Sequence, residues 1–205
     1  MGREISAVLL AGGQARRMGG GDKCLRLLGG RTILERVIER VCPQVASLVL
    51  NANGDPKRFG KFGLPVAGDI VDGFAGPLSG ILTGLRWTLK NADNCEWMVS
   101  IPTDAPFIPK DLVASLMAEI TQKKADIACA VSGGRTHPVV GLWPVRLADA
   151  LERALIDENM RKIDHWTARY CVIEVDFPIE NVDPFFNANR PEDVLEAERL
   201  LSLEC

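Results

Sequence analysis

An apolar run, Ile5-Ser-Ala-Val-Leu-Leu10, opens directly into Ala11-Gly12-Gly13, and the chain from there to Lys23 is rich in glycine. A short run without polar alternation fits a strand buried on both faces, so the chain is expected to start as a buried parallel strand ending in a glycine loop. The next segments keep the same grammar. Thr32 and Glu35 have the spacing of a capping box, and Leu34, Val37, Ile38 and Val41 recur at helical spacing, which predicts an amphipathic helix stopped before Pro43. Val45 to Leu50 is a second apolar run, closed by the turn signal Asn51-Ala-Asn53-Gly54. A short run at Leu64 to Val66 and a glycine-rich loop then precede a helical face of Leu78, Ile81, Leu82, Leu85 and Leu89. Trp97 to Ile101 leads into a turn through Pro102, Pro106 and Pro109, and into a helix with Leu112, Val113, Leu116, Met117 and Ile120 inward. Strands alternating with helices predict an α/β fold of three layers, a mostly parallel sheet with helices on both faces.

The pattern changes in the second half. Ile127 to Val131, the turn Gly133-Gly134 and Val139 to Trp143 read as two strands with a short return, which places one antiparallel strand in the sheet. Leu147, Leu151, Ala154 and Leu155 form another helical stripe, Cys171 to Phe177 alternates like a half-exposed strand, and a last helix begins at Pro191. Arg190 stands where a Ser or Thr would cap that helix. With no repeat or linker, residues 1–205 are expected to form one domain, long enough to bury roughly 70% of its unfolded surface.

Charge limits what such a domain can bind. Lys and Arg number 24 against 27 Asp and Glu, a net charge of −3, so there is no global basic field for nucleic acid and any polyanion must meet a local positive site. No apolar stretch approaches the ~20 residues of a spanning helix, and the N-terminus has no leader pattern, so a cytoplasmic protein that crosses no membrane is expected. The 6 cysteines form no C-x-x-C pair and are expected to be reduced thiols, mostly filling the core.

In open parallel sheets ligands bind beyond the carboxyl ends of the strands, so the loops after Leu10, Leu50, Val66 and Ile101 should share one rim. The first of them carries glycines together with Arg16, Arg17 and Lys23, as a triphosphate cradle would. It is not a Walker loop, because Lys23 lies between Asp22 and Cys24, and it lacks the G-x-G-x-x-G of dinucleotide sites. By glycines alone it could equally be a basic surface loop. Asp104, between prolines after a strand, fits either a turn former or a magnesium ligand; Asp69 is a loop carboxylate; Asn51 and Asn53 fit turns, and for Asn53 before Gly54 the turn is preferred. His137 reads as a structural hydrogen-bonding residue or a ligand, and Trp143 and Trp166 as core or as stacking surfaces.

The whole string Leu10-Ala-Gly-Gly13, Arg17-Met-Gly19 and Asp22-Lys23 resembles the signature of nucleotidyltransferases. Asn51-Ala-Asn53, Asp69, Gly76-Pro-Leu-Ser-Gly80, Pro102-Thr-Asp-Ala-Pro106, His137-Pro-Val-Val-Gly-Leu142 and Phe186-Asn-Ala-Asn189 narrow that resemblance to the molybdenum cofactor guanylyltransferases over nearly the full length. The resemblance implies a Rossmann-like nucleotidyltransferase fold, with the nucleotide in the N-terminal half and the acceptor in the C-terminal half. It implies that Leu10, Ala11, Gly12, Gly13, Asn51 and Asp69 hold GTP, that Lys23 and Arg17 meet its phosphates, and that Asp104 holds Mg²⁺. His137, Asn187 and Asn189 would lie near the second substrate, molybdopterin, and transient contact with proteins of molybdenum cofactor synthesis or insertion would follow. A molybdopterin cytidylyltransferase, a sugar-phosphate nucleotidyltransferase and a non-catalytic nucleotide-binding module are the alternatives; retention of both Lys23 and Asp104 argues against the last.

Overall fold

A computed structural model describes residues 4–12, 22–71, 73, 76–188 and 190–202. Its main strands are β1 Glu4–Leu10, β4 Ser47–Asn51, β5 Val66–Ala67, β6 Cys95–Pro102, β7 Ile127–Ser132, β8 Arg135–Pro144 and β9 Val172–Asp176, which form a seven-stranded sheet in the order β5-β4-β1-β6-β8-β7-β9. Among these, only β8 is antiparallel to its neighbours β6 and β7, while β9 pairs parallel to β7. The remaining strands, β2 Leu27–Leu28 and β3 Arg31–Thr32, form a separate small hairpin.

Alternation along β1 divides the core in two. Ile5, Ala7 and Leu9 face the cluster covered by α1 Ile33–Val41, α3 Leu112–Lys123 and α6 Pro191–Leu201, whereas Val8 faces that of α2 Pro77–Asn91, α4 Ala148–Ile156 and α5 Ile163–Thr167. The three-layer arrangement read from the sequence is therefore the one present. The capping box forms as expected: Thr32 Oγ1 accepts from Glu35 N at 3.2 Å and Glu35 Oε2 accepts from Thr32 N at 2.6 Å. At α6 the missing Ser or Thr is replaced from inside the helix, as Asp193 Oδ2 accepts from Arg190 N at 2.7 Å.

One expectation is corrected. Leu89 is 49% exposed, because the buried stripe of α2 passes through Thr88, whose hydroxyl lies 2.7 Å from Ser6 Oγ, and Leu89 projects past it. Trp143 and Trp166 are fully buried against each other at a centroid distance of 5.9 Å, so neither offers a stacking surface. Among the cysteines, Cys24, Cys95 and Cys129 are buried thiols, but Cys42 and Cys171 are exposed. Gly133 and Gly134, at φ +54° and +74°, make the β7–β8 return that a side chain would strain. Beyond it, adjacent Ala130 and Cys129 pair with His137 and Gly141, so β8 bulges at Pro138 to Val140, where a residue lacking N–H can be accommodated.

The chain leaves β1 for β4 on one side and returns to β6 on the other. The carboxyl ends of β1 and β6 therefore flank a point where strand order reverses, the position at which such sheets bind ligands. No helix among the described residues is long and apolar enough to cross a membrane.

Candidate active site

At that edge the end of β1 is pinned from both sides. Leu10 O accepts from Thr103 N at 3.3 Å and from Thr103 Oγ1 at 3.0 Å, and Ala11 N donates to Asn51 O at 2.9 Å. Gly12 is exposed, and a side chain there would meet nothing within 4 Å among the described residues. Gly13 and Arg17, expected at the phosphates, lie outside the described residues. The carbonyl of Asp22 accepts from Leu25 N at 3.1 Å and starts the 3₁₀ turn Lys23–Leu25.

That turn delivers Lys23 to the end of β6. Its Nζ lies 2.7 Å from Asp104 Oδ2, with the two side chains 12% and 25% exposed. No local spacing encodes this contact, since the residues are 81 apart. Burial pushes the neighbouring Cys24 thiol up to about 11, so it sits beside the lysine as a neutral group and no nucleophile.

The β4–β5 side of the rim is a cluster of amides around one carboxylate. Asn51 is buried and donates from Nδ2 to Ala67 O at 3.2 Å and to Asp69 Oδ1 at 3.0 Å. A Cβ at Gly80 would stand 2.5 Å from Asn51 Oδ1, so α2 needs glycine there to approach. Asn53, expected to be a turn residue only, does more: Nδ2 donates to Asp69 Oδ2 at 2.9 Å and Oδ1 accepts from Asp69 N at 2.7 Å. Asp69 is thus gripped through both carboxylate oxygens and its own N–H. Each oxygen still keeps acceptor capacity, because an ionised carboxylate has about four lone-pair sites.

On the other flank, Ala188 N donates to the backbone carbonyl of Asp104 at 3.0 Å, which ties the segment of Asn187 to the turn that carries Asp104. Asn189 lies outside the described residues. His137 Nε2 is 2.8 Å from Ser132 Oγ, Ser132 donates to Asp183 Oδ1 at 2.7 Å, and the same oxygen accepts from Phe185 N at 2.9 Å. The imidazole also packs on Phe185 at 4.7 Å between centroids. His137 therefore braces the segment that carries Asn187 rather than projecting into the open rim.

Burial lowers the His137 pKa; Asp183 opposes this and Arg135 adds to it. The unfolded chain protonates near the ordinary value of about 6.5, before the native imidazole does. The stability held at His137 is present above about pH 6.5 and is lost as the pH falls below it. Denaturant unfolding at pH 7.5 and 5.5 should therefore show a larger acid loss for wild type than for His137→Gln. Equal losses would mean that His137 is not held neutral.

No group of three or more His, Cys, Asp or Glu side chains among the described residues is placed to hold a metal ion. A lone carboxylate already matched to a cation at 2.7 Å nevertheless suits an ion that arrives with its own oxygen ligands, as Mg²⁺ does on a triphosphate. A cavity of about 890 Å³ lies away from this edge among Arg36, Glu39, Arg40, Lys110 and Glu198; it has mixed charge and none of the residues above. The sequence analysis gave no role to Thr103, Asp22, Ser132, Asp183 or Arg58. Of these Asp22, directly before Lys23, and Thr103, directly before Asp104, carried a local signal.

Comparison with known proteins agrees with the geometry. Residues 7–170 match the model of the MobA-like NTP transferase domain. The molybdenum cofactor guanylyltransferase of Rhodopseudomonas palustris is 57% identical over 194 residues, 95% of this chain and 92% of the relative. The molybdopterin-guanine dinucleotide biosynthesis protein A of Archaeoglobus fulgidus superposes with a TM-score of 0.74 at 26% identity, covering 97% of this chain and 99% of the other. A Mycobacterium tuberculosis protein solved as a complex with manganese has the same fold, with a TM-score of 0.68 at 16% identity over 96% of this chain and 98% of its own.

Proposed function

The chain belongs to the molybdenum cofactor guanylyltransferase family of MobA-like NTP transferases, and from that premise we propose that it transfers GMP from GTP to the terminal phosphate of molybdenum-bound molybdopterin. Pyrophosphate leaves and the molybdopterin guanine dinucleotide cofactor forms. The observation that carries this reading is the Lys23–Asp104 pair beyond the end of β6, at the edge where the exposed Gly12 leaves the neighbouring strand β1.

The acceptor phosphate is the nucleophile. A phosphate monoester has its second pKa near 6, so at neutral pH it is already largely ionised and a general base would add little. The barrier lies in bringing one polyanion onto the α-phosphorus of another, and the chain lowers it by positioning and by local positive charge. Lys23, held 2.7 Å from Asp104, is poised to exchange that carboxylate for phosphate oxygens, with Arg17 and the N–H groups of Gly12 and Gly13 as further donors, because Ala11 N–H is already engaged by Asn51 O. Asp104 would hold a divalent cation, Mg²⁺ in our reading, which when bound supplies positive charge to the phosphate oxygens. Asn187 and Asn189 would meet the acceptor, and His137 would support the segment before Asn187 through Ser132 and Asp183. Free thiols, two of them exposed, are consistent with the cytoplasm, where transient contact with proteins of cofactor synthesis or insertion would pass substrate and product on.

Asp69, oriented by Asn51 and Asn53, would read the base. Guanine presents N1–H and the N2 amino group together, two donors for one carboxylate; cytosine sets an acceptor beside its amino donor and leaves lone pairs opposed. A site of this kind discriminates strongly because a mismatch leaves its own groups unpaired. Asp69→Ala should lower the GTP to CTP ratio of kcat/KM by about tenfold or more. An unchanged ratio would show that Asp69 only orders the rim.

The reaction itself is tested by following label from GTP: α-labelled phosphate should enter the pterin product and γ-labelled phosphate should leave as pyrophosphate. Label from the γ position in the pterin product would exclude guanylyl transfer.

A further inference from the structure

Between the phosphate side and the nucleoside side of this rim stands one guanidinium that neither assignment uses. Arg58 Nε donates to Asp22 Oδ2 at 2.5 Å, Nη2 to Asn53 O at 2.5 Å and Nη1 to Asp55 O at 2.7 Å. All three nitrogens are therefore engaged, and its carbon lies 4.6 Å from the centroid of the buried Phe59 ring. Arg58 is 29% exposed and Asp22 20%, so the pair is partly shielded from water.

The partners of Arg58 give it leverage on both halves of the site. Asp22 precedes Lys23, and its carbonyl starts the turn that delivers Lys23 to Asp104. Asn53 is the residue whose side chain grips Asp69 from two sides. The Asn53–Asp55 turn bends through Gly54 at φ +83°, where a Cβ would stand 3.2 Å from Arg58 Nη1. Only a planar fork of fixed geometry can satisfy one carboxylate and two divergent carbonyls together; an ammonium on a flexible stem cannot.

We propose that Arg58 is a positioning residue that fixes the spacing between the lysine turn and the Asn53–Asp69 clamp, so that the two ends of a nucleoside triphosphate are recognised as one unit. This rests on the reading of the rim as the GTP site. Arg58 touches no substrate; it acts through Asp22 on Lys23 and through Asn53 on Asp69.

The test is a titration of GTP, with CTP alongside, into the full-length protein and its variants, followed by steady-state kinetics and melting curves. Arg58→Ala should weaken GTP binding about tenfold or more and raise KM far more than it lowers kcat, and Arg58→Lys should not restore it. Asp22→Asn keeps the volume and removes one anchor. It should weaken GTP in the same direction, and combined with Arg58→Ala it should cost no more than Arg58→Ala alone. If Arg58→Ala does not fold, Asp22→Asn decides. Wild-type GTP affinity in a folded Arg58→Ala or in Asp22→Asn would overturn the proposal, as would full recovery by lysine. Failure of the wild-type protein to bind GTP at all would instead overturn the reading of the site.

Discussion

Asp104→Asn is expected to lower kcat on the order of a thousandfold while the melting temperature moves by only a few degrees. The amide keeps the shape of the carboxylate in its turn, and the contacts that fix the backbone, Ala188 N to Asp104 O and Thr103 to Leu10 O, do not involve the side chain. What is lost is the negative charge that pairs with Lys23 and that would hold a divalent cation. The effect should fall on turnover and on the metal concentration needed for half-maximal rate, and a magnesium titration of initial rates checks both. A variant as fast as wild type across that titration would place the metal on other residues.

Lys23→Ala is expected to reduce kcat/KM by about a hundredfold to a thousandfold, again with little loss of fold. The ammonium sits at the open end of a 3₁₀ turn, and the hydrophobic anchor of that turn is the neighbouring buried Cys24, not the lysine. Truncation leaves Asp104 without its 2.7 Å partner. With nucleotide present it removes a cation from the phosphates as negative charge gathers on the departing pyrophosphate. Arginine should rescue poorly, since a bulkier planar guanidinium would have to enter a space where the lysine side chain is only 12% exposed. Pyrophosphate release by the folded variant at the wild-type rate would remove Lys23 from the site.

Features encoded by neighbouring residues are legible in the sequence. The capping box at Thr32 and Glu35, the strand before the glycine loop and the antiparallel return at Gly133-Gly134 all depend on spacings of a few residues. The rim is legible too, because the carboxyl-end rule needs only the order of strands and helices. Its wiring is not. Asn53 reads as a turn residue because Gly54 follows it, and the grip on Asp69 appears only once strands β4 and β5 lie side by side. Arg58 gives no local sign of its role, since its carboxylate partner is 36 residues away. His137 shows the same limit: a histidine beside proline suggests a ligand as readily as a strut, and only its pairing with Ala130, two residues from Ser132 on the same face of β7, puts it against that hydroxyl. Leu89 misleads for a different reason, since helical periodicity cannot tell the last turn of a buried stripe from a leucine that has run past the edge of the sheet.

Pyrophosphate release measured with each of the four nucleoside triphosphates, with and without molybdenum-bound molybdopterin, tests the guanylyl transfer assignment most directly. Release is expected only when GTP, a divalent cation and the pterin are present together, with CTP at least about tenfold less effective in kcat/KM. Preference for CTP, or release from GTP that is indifferent to the pterin, would contradict the assignment.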